Sequence, residues 1–439
     1  MSRHRAKPPA GAARAADAAT AQRRASERRL LATVVAANAL EFFDYFSYAV
    51  YAAFITRTFF PHVAGAYAAL LSLGTFAAGF LSRPLGAIAI GVHADAAGRK
   101  PALLLSAALV TAGSFGLAVI PGYATLGIAA PIAVLLCRIL QGIAVGGEMG
   151  ASGALLIERC PPGRTCTYAG WLMAGQGLAL AAAGACGIAL YATLSAAQIE
   201  RWGWRVPFAL AAALIPVQIY LRRHIDETWE RRTATTAFGG MLRQHRGRWL
   251  LAIALIFGGT VPTYVATYTT TFGVAGPPPS AHASFVTTAA VGAVTFALSI
   301  AGGLLADRIG RIRTIVLARA LTMTVVLPAF HFAAVHAHPL ALLGVVALFA
   351  GLSALAGAPS IVAILDMFPA HGRAAALSVV YATGVALFGG TAPFVVAAVN
   401  AWAGTHGAAG AYVFVSAAVT LVALAAVRAA DARTPAVRR

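Results

Sequence analysis

Charge is in short supply in this 439-residue chain: 11% of its residues are Asp, Glu, Lys or Arg, where a soluble domain carries about 25%. Acidic residues are scarcest, 14 against 33 Lys plus Arg, for a formal net charge of +19. That shortage, with 59% hydrophobic residues and a mean hydropathy of +0.77, excludes a water-soluble domain. The four cysteines, Cys137, Cys160, Cys166 and Cys186, show no CxxC spacing, so neither a disulfide framework nor a metal site is expected. HExxH, GxSxG and clusters of Cys with His are missing, which argues against an enzyme. The lone histidines His93, His331, His336 and His338 read as loop or interfacial residues. Residues 1–30 are rich in Arg and Ala without an apolar core, so no cleavable signal peptide is visible; a transit peptide is the minor alternative.

What the chain does contain is apolar sequence in lengths that cross a bilayer, about 20 residues each. Twelve such spans are expected, at 31–56, 66–91, 101–120, 130–157, 167–192, 204–221, 249–272, 283–304, 314–334, 340–363, 374–398 and 408–428. Gly, Pro or charge separates them, as in PGYATLG at 121–127, GPPPS at 276–280 and HAHP at 336–339. The longest polar interruption, 222–248, divides them six and six. The expected fold is an all-α membrane protein of twelve transmembrane helices. It comprises a basic, disordered cytoplasmic tail (1–30), a six-helix bundle (31–221), a cytoplasmic linker (222–248), a second six-helix bundle (249–428) and a cytoplasmic tail (429–439).

Of the 33 Lys and Arg, 27 fall in the two tails and the breaks after even-numbered spans, whereas only Arg57, Arg201 and Arg205 fall in the opposite breaks. The positive-inside rule then places both termini in the cytoplasm. The basic balance is thereby explained by the lipid bilayer, and nucleic acid is removed as a partner.

The two bundles read as pseudo-repeats. Gly91…Asp95…Gly98-Arg99 recurs as Gly303…Asp307…Gly310-Arg311 at an offset of 212, and Glu158…Arg164 recurs as Asp366…Arg373 at 208 to 209. In each turn the Asp is placed to cap the following helix or meet its positive end. Two copies at equivalent places favour a latch holding the cytoplasmic ends together in one state; a capped turn that only sets topology is the bland alternative. Gly91, Asp95, Gly98, Arg99, Glu158, Arg164, Gly303, Asp307, Arg308, Gly310, Arg311, Asp366 and Arg373 make up this candidate latch.

Ionisable groups also lie inside spans: Glu41 and Asp44 in the first, Arg83 in the second, Arg138 and Glu148 in the fourth. A charge at membrane depth costs roughly 2.5–3.5 kcal/mol on insertion scales, so such groups face protein or water and mark function by default. A buried ion pair that only fixes packing is the competing reading. Asn38, Glu41 and Asp44 recur every three residues and are expected on one arc of a helix. Depth along the spans allows Asp44 to pair with Arg138 and Arg83 with Glu148. A carboxylate beside an arginine stays ionised, and one drawn into a drier site takes up a proton. A cycle that makes and breaks such a pair couples proton movement to a substrate, so Asp44, Arg138, Glu41 and Glu148 are the candidate coupling residues.

Arg83 and Arg138 offer cations to carboxylates, and Asn38, Gln176, Tyr264, Tyr268 and Tyr381 complete the candidate substrate site. Span seven, with Pro262, Thr263, Tyr264, Thr267 and Tyr268, reads as a broken helix suited to a polar ligand; interhelical hydrogen bonding is the alternative. Arg319 is the only clear charge inside a span of the second half. Gly142, Gly146, Gly147 and Gly150 lie within a helix with no strand before them, which favours close helix packing over a nucleotide loop.

The duplicated GxxxDxxGR turns and RILQG at 138–142 resemble the major facilitator superfamily. Within it, NALEFFDYFSYAVY, SRPLGAI, RILQGIAVGGE, WGWRVPF at 202–208 and LRRHIDET at 221–228 resemble the metabolite:proton symporter family, over residues 31 to about 425. The runs PGYATLGIAAPIAVLLCRILQG and TYTTTFG look most like its citrate-type members. Members of that family carry tricarboxylates, 2-oxoglutarate, shikimate, proline or betaine with protons. The resemblance implies the major facilitator fold, and it implies that Asp44 and Arg138 form the proton-coupling pair. Ala96 stands where the first turn usually has Arg, and Thr270 where members often have Pro. No Pro occurs between 165 and 206, unlike proton antiporters for drugs. The expected protein is a proton-coupled symporter importing a small organic acid, citrate or another tricarboxylate first, by alternating access. It is expected as a monomer in a bacterial inner membrane, with protons as the coupling ion and no cofactor or metal. Another metabolite of the family's range is the alternative; a transporter-like sensor is disfavoured by short tails without an output domain.

Overall fold

The computed structural model describes residues 10–61, 74, 75, 77–97, 99–214, 216, 217, 220, 246–272, 280–336, 338–369, 373–403 and 407–433. Most of the expected linker, Gly98, and the side chains of Asp95, Arg99, Glu148 and Glu158 lie outside the described residues. The regular structure among them is helical. The principal helices are α1 (Ala10–Val50), α2 (Arg83–Ala97), α3 (Arg99–Val119), α4 (Ala129–Glu158), α5 (Thr165–Thr193) and α6 (Val206–Ala213) in the first half of the chain. The second half contributes α7 (Arg246–Phe272), α8 (Ala281–Ile309), α9 (Arg311–His336), α10 (Pro339–Asp366), α11 (Arg373–Phe388) and α12 (Ala408–Arg433).

Among the described residues ten helices are long and apolar enough to cross a membrane, and each coincides with one of the expected spans. The second and sixth spans are described in part, through Ala77–Gly91 and α6. Helices keep every backbone hydrogen bond within the segment, which a lipid interior requires. Their outward faces are apolar: Leu85, Leu250 and Val422 are 64%, 70% and 69% exposed, surface that water would penalise and lipid does not.

Two expectations change. Residues 10–30, read as a disordered tail, are helical from Ala10 onward and run into the first span without a break. Their alanine-rich composition is among the best for helix formation. Span seven, read as broken, is a continuous helix that carries Pro262 inside it. Pro262 has no N–H to give to the carbonyl one turn back, at Gly258, so this turn is weakened without being broken.

Glycine sets the closest approaches. A methyl group at Gly142 would lie 2.0 Å from the Gly79 carbonyl oxygen, and one at Gly146 would lie 2.0 Å from that of Arg83. The glycines of α4 are thus packing residues that seat it on α2. The two halves meet along α5 and α8 by the same device. Methyl groups at Gly177, Gly184 and Gly303 would fall within 2.4–2.5 Å of α8 or α5 backbone atoms. At the end of α8, Gly310 adopts φ +98°, a conformation that glycine tolerates and that lets the chain turn sharply into α9.

Candidate functional site

Asp44 is 1% exposed at mid-helix in α1. Its Oδ2 accepts a hydrogen bond from the side-chain amide of Gln141 on α4, which also reaches Ser114 Oγ on α3 at 3.2 Å. Arg138 lies one turn from Gln141 on α4 and interacts electrostatically with Asp44. It makes no hydrogen bond to that carboxylate; its guanidinium instead sits over the Tyr48 ring, 4.0 Å from the centroid, and 5.7 Å from that of Tyr45. A guanidinium over aromatic faces is held by their negative quadrupoles. The expected Asp44 and Arg138 neighbourhood therefore exists, with Gln141 as the direct partner of the acid.

Arg83 of α2 forms a second cationic site. It lies 4.2 Å from the Tyr45 centroid and 4.5 Å from that of Phe80, and its charge is felt by Tyr264 and Tyr381 of the second half. Phe80 stands edge-on between Tyr45 and Tyr264, with centroid separations of 5.1 and 4.9 Å. Gly389 and Gly390 admit this contact, since methyl groups there would lie 2.8 Å from the Tyr264 ring and from Phe80.

Beside these groups a small cavity of about 100 Å³ lies between the halves. Its wall from the first half is Phe46 on α1 with Met173, Gln176 and Leu180 on α5. From the second half come Thr260, Thr263 and Tyr264 of α7, Thr295 and Ser299 of α8, Ser353 and Ser360 of α10, and Tyr381 of α11. Gln176 Nε2 donates across to Tyr381 Oη at 3.4 Å. Among the described residues the lining is uncharged, so charge reaches the cavity from behind it.

Of the residues expected to bind substrate, Gln176, Tyr264 and Tyr381 line this cavity, and Arg83 backs Tyr264. Arg138 and Tyr268 are not in its wall. Asn38 packs at Gly175 of α5, where a methyl group would come 2.9 Å from its Oδ1. Asn38 and Asp44, at the two ends of an arc of about 120° on α1, therefore meet different neighbours, α5 and α4. Glu41 is buried on α1 at 1% exposure, and the Arg83–Glu148 pairing falls outside the described side chains. The sequence reading left out Gln141 as a partner of Asp44, the aromatic faces of Tyr45, Tyr48 and Phe80, and the hydroxyls on α8 and α10. A signal for the hydroxyls existed: Thr295 and Ser299 are four residues apart, and Ser353 and Ser360 seven, on single faces of otherwise apolar helices.

At the end of the bundle that carries the duplicated turns, Asp307 of α8 caps α5. It accepts the N–H of Cys166 at 3.0 Å, the N–H of Thr167 at 2.8 Å and Thr167 Oγ1 at 2.6 Å. The expectation that it caps the following helix is corrected: the N-terminus it meets belongs to the other half, because Gly303 brings α8 against the start of α5. Arg311 pairs with Asp366, and Arg373 Nε donates to the Phe368 carbonyl at 3.0 Å, both within the second half. Arg164 closes a turn onto Pro161, helped by φ +77° at Gly163. Arg308 is exposed, and Gly91 has open space around it.

Two helical halves around a mostly apolar cavity dotted with hydroxyls, with buried charges beside it and a cap joining the halves at one end, define a multi-pass membrane transporter. Residues 34–346 match the Major Facilitator Superfamily, and the chain belongs to that family. It is 32% identical over 396 residues to the citrate-proton symporter of Klebsiella pneumoniae, covering 89% of each chain. It is 34% identical over 383 residues to the alpha-ketoglutarate permease of Escherichia coli K12, covering 84% of this chain and 87% of that one. Among solved structures it is similar to the proton:xylose symporter XylE bound to 6-bromo-6-deoxy-D-glucose, at a TM-score of 0.74 and 17% identity over 91% and 94% of the two chains.

Proposed function

We propose that this chain is a proton-coupled symporter that imports a small organic acid by alternating access, with citrate or another tricarboxylate as the first candidate. The observation that carries this reading is the Asp44 site: a fully buried carboxylate, hydrogen-bonded to Gln141 and in the field of Arg138, two residues from Phe46 in the wall of the cavity between the halves. Protonation removes the cost of keeping that charge in a dry interior. Proton occupancy of Asp44 then decides whether Arg138 has a counter-charge, and so which arrangement of the halves is favoured. The similarity to relatives named for citrate-proton symport and alpha-ketoglutarate transport supports an acid substrate, and the latter keeps 2-oxoglutarate as the second candidate.

In this reading Arg83, Gln176, Tyr264 and Tyr381 serve the substrate, and Asp307 is part of a latch at the cytoplasmic end. Twelve spans, cytoplasmic termini, a bacterial inner membrane and a monomeric unit complete the proposal; the Lys and Arg distribution supports the orientation. Initial uptake of citrate, 2-oxoglutarate, shikimate, proline and betaine by proteoliposomes, with and without an imposed pH gradient, tests it. Acid uptake that rises with an inward proton gradient is expected. Rates unchanged by the gradient, or uptake of the zwitterions alone, contradict it.

A further inference from the structure

Arg319 of α9 is completely buried, and none of its guanidinium nitrogens has a hydrogen-bond partner among the described residues. Residues 249–439 contain only three acids, Asp307, Asp366 and Asp431. The first is taken up by the α5 cap and the second by Arg311; Asp431 lies in the last turn of α12. Among the described residues no carboxylate of this half reaches Arg319, and guanidinium does not shed its proton in proteins. An unpaired charge at this depth is expensive, so its retention calls for an anion that visits.

The surroundings show where such an anion would come from. Arg319 packs against Gly258 and Gly259 of α7. A methyl group at Gly258 would lie 3.2 Å from Nε, and one at Gly259 would lie 3.8 Å from Nη2. Gly259 lines the central cavity, as does Ser353, whose Oγ donates to the Gly259 carbonyl at 3.1 Å. Gly259 thus touches the cavity on one side and the Arg319 guanidinium on the other, with no side chain of its own between them, while Thr420 packs beside Arg319 at Gly258. The glycine pair stands at the turn where Pro262 leaves the Gly258 carbonyl without its helical donor. Further along α7, Tyr264 of the cavity wall is backed by Arg83 of the first half.

We propose that Arg319 is the second half's anchor for a substrate carboxylate, reached past Gly259, with Arg83 of the first half, behind Tyr264, as the second cation beside the cavity. This deepens, and rests on, the organic-acid reading of the cavity. Cations from two halves fit a ligand with at least two separated carboxylates, and they draw the halves together when both are engaged. A zwitterion with one carboxylate satisfies only one of them.

The test uses the full-length chain, purified and in proteoliposomes, with citrate, 2-oxoglutarate and proline as probes. For whichever acid the wild type takes up, Arg319→Gln is expected to raise the counterflow KM at least tenfold, the usual scale of a lost charge-assisted hydrogen bond. It should also abolish the thermal stabilisation by that acid, while the empty variant melts no lower than wild type because an unpaired buried charge is gone. Gly259→Ala keeps the cation, fits at ordinary contact distance, and narrows the approach to it; it should raise the same KM, and it decides the matter if Arg319→Gln does not fold. An unchanged KM in Gly259→Ala and in any folded Arg319→Gln overturns the role of Arg319 and leaves organic-acid import standing. A wild type that takes up neither acid overturns the reading of the cavity and this assignment with it.

Discussion

Gln141 donates its side-chain amide to Asp44, while Arg138, three residues earlier on the same helix, makes no hydrogen bond to that carboxylate. The acid is thus held by a neutral donor and polarised by a cation that leans on Tyr48. Gln141→Leu removes the donor and should lower stability by about 1.5–3 kcal/mol, the range for a hydrogen bond to a charged group. A double-mutant cycle with Asp44→Ala, which removes the acceptor, read by thermal unfolding in detergent, should return a coupling of similar size; strictly additive losses would show that the bond contributes nothing.

Asp44→Asn is close to isosteric but cannot ionise. Uphill accumulation driven by a pH gradient should be lost, whereas counterflow exchange of the same substrate at equal pH persists. A variant that still accumulates substrate would remove Asp44 from the coupling step.

Asp307 joins the halves by receiving three hydrogen bonds from the first turn of α5. Cys166 is buried directly beneath that cap at 4% exposure and supplies a native probe. With Cys137, Cys160 and Cys186 replaced by Ser, Asp307→Ala should speed maleimide labelling of Cys166 roughly 3- to 30-fold, the equivalent of a lost helix cap. An unchanged rate would mean that the cap does not hold this end closed.

Gly146→Ala drives a methyl group onto the Arg83 carbonyl oxygen, 2.0 Å away. Overpacking of this kind should cost about 1–3 kcal/mol in thermal unfolding. Gly344→Ala in α10 meets nothing within 4 Å and should be neutral or stabilise by about 0.4–1 kcal/mol through the unfolded chain.

The helices were legible because lipid leaves the sequence few choices. Apolar runs of bilayer length are helices, and their ends follow Gly, Pro and charge, as at Gly310 between α8 and α9. Depth along a span was enough to bring Asp44 and Arg138 to one neighbourhood, because helix rise is regular. Which group touches which was not legible. Gln141 reaches Asp44 by the rotation of α4, and Asp307 caps a helix 140 residues earlier in the chain; neither relation leaves a local pattern. The cavity lining was partly visible as hydroxyls spaced four or seven residues apart on α8 and α10. Arg319 could be seen as a buried charge, but its place behind Gly259 depends on how α7 and α9 pack.

The most direct measurement of coupling through Asp44 is proton flux at a pH electrode, with proteoliposomes lightly buffered and at equal pH inside and out. Adding citrate, or 2-oxoglutarate if that is the acid taken up, should alkalinise the external medium as protons enter with substrate, and Asp44→Asn should abolish the signal. Substrate entry without any external pH change, or an undiminished signal from Asp44→Asn, would contradict proton symport through this carboxylate.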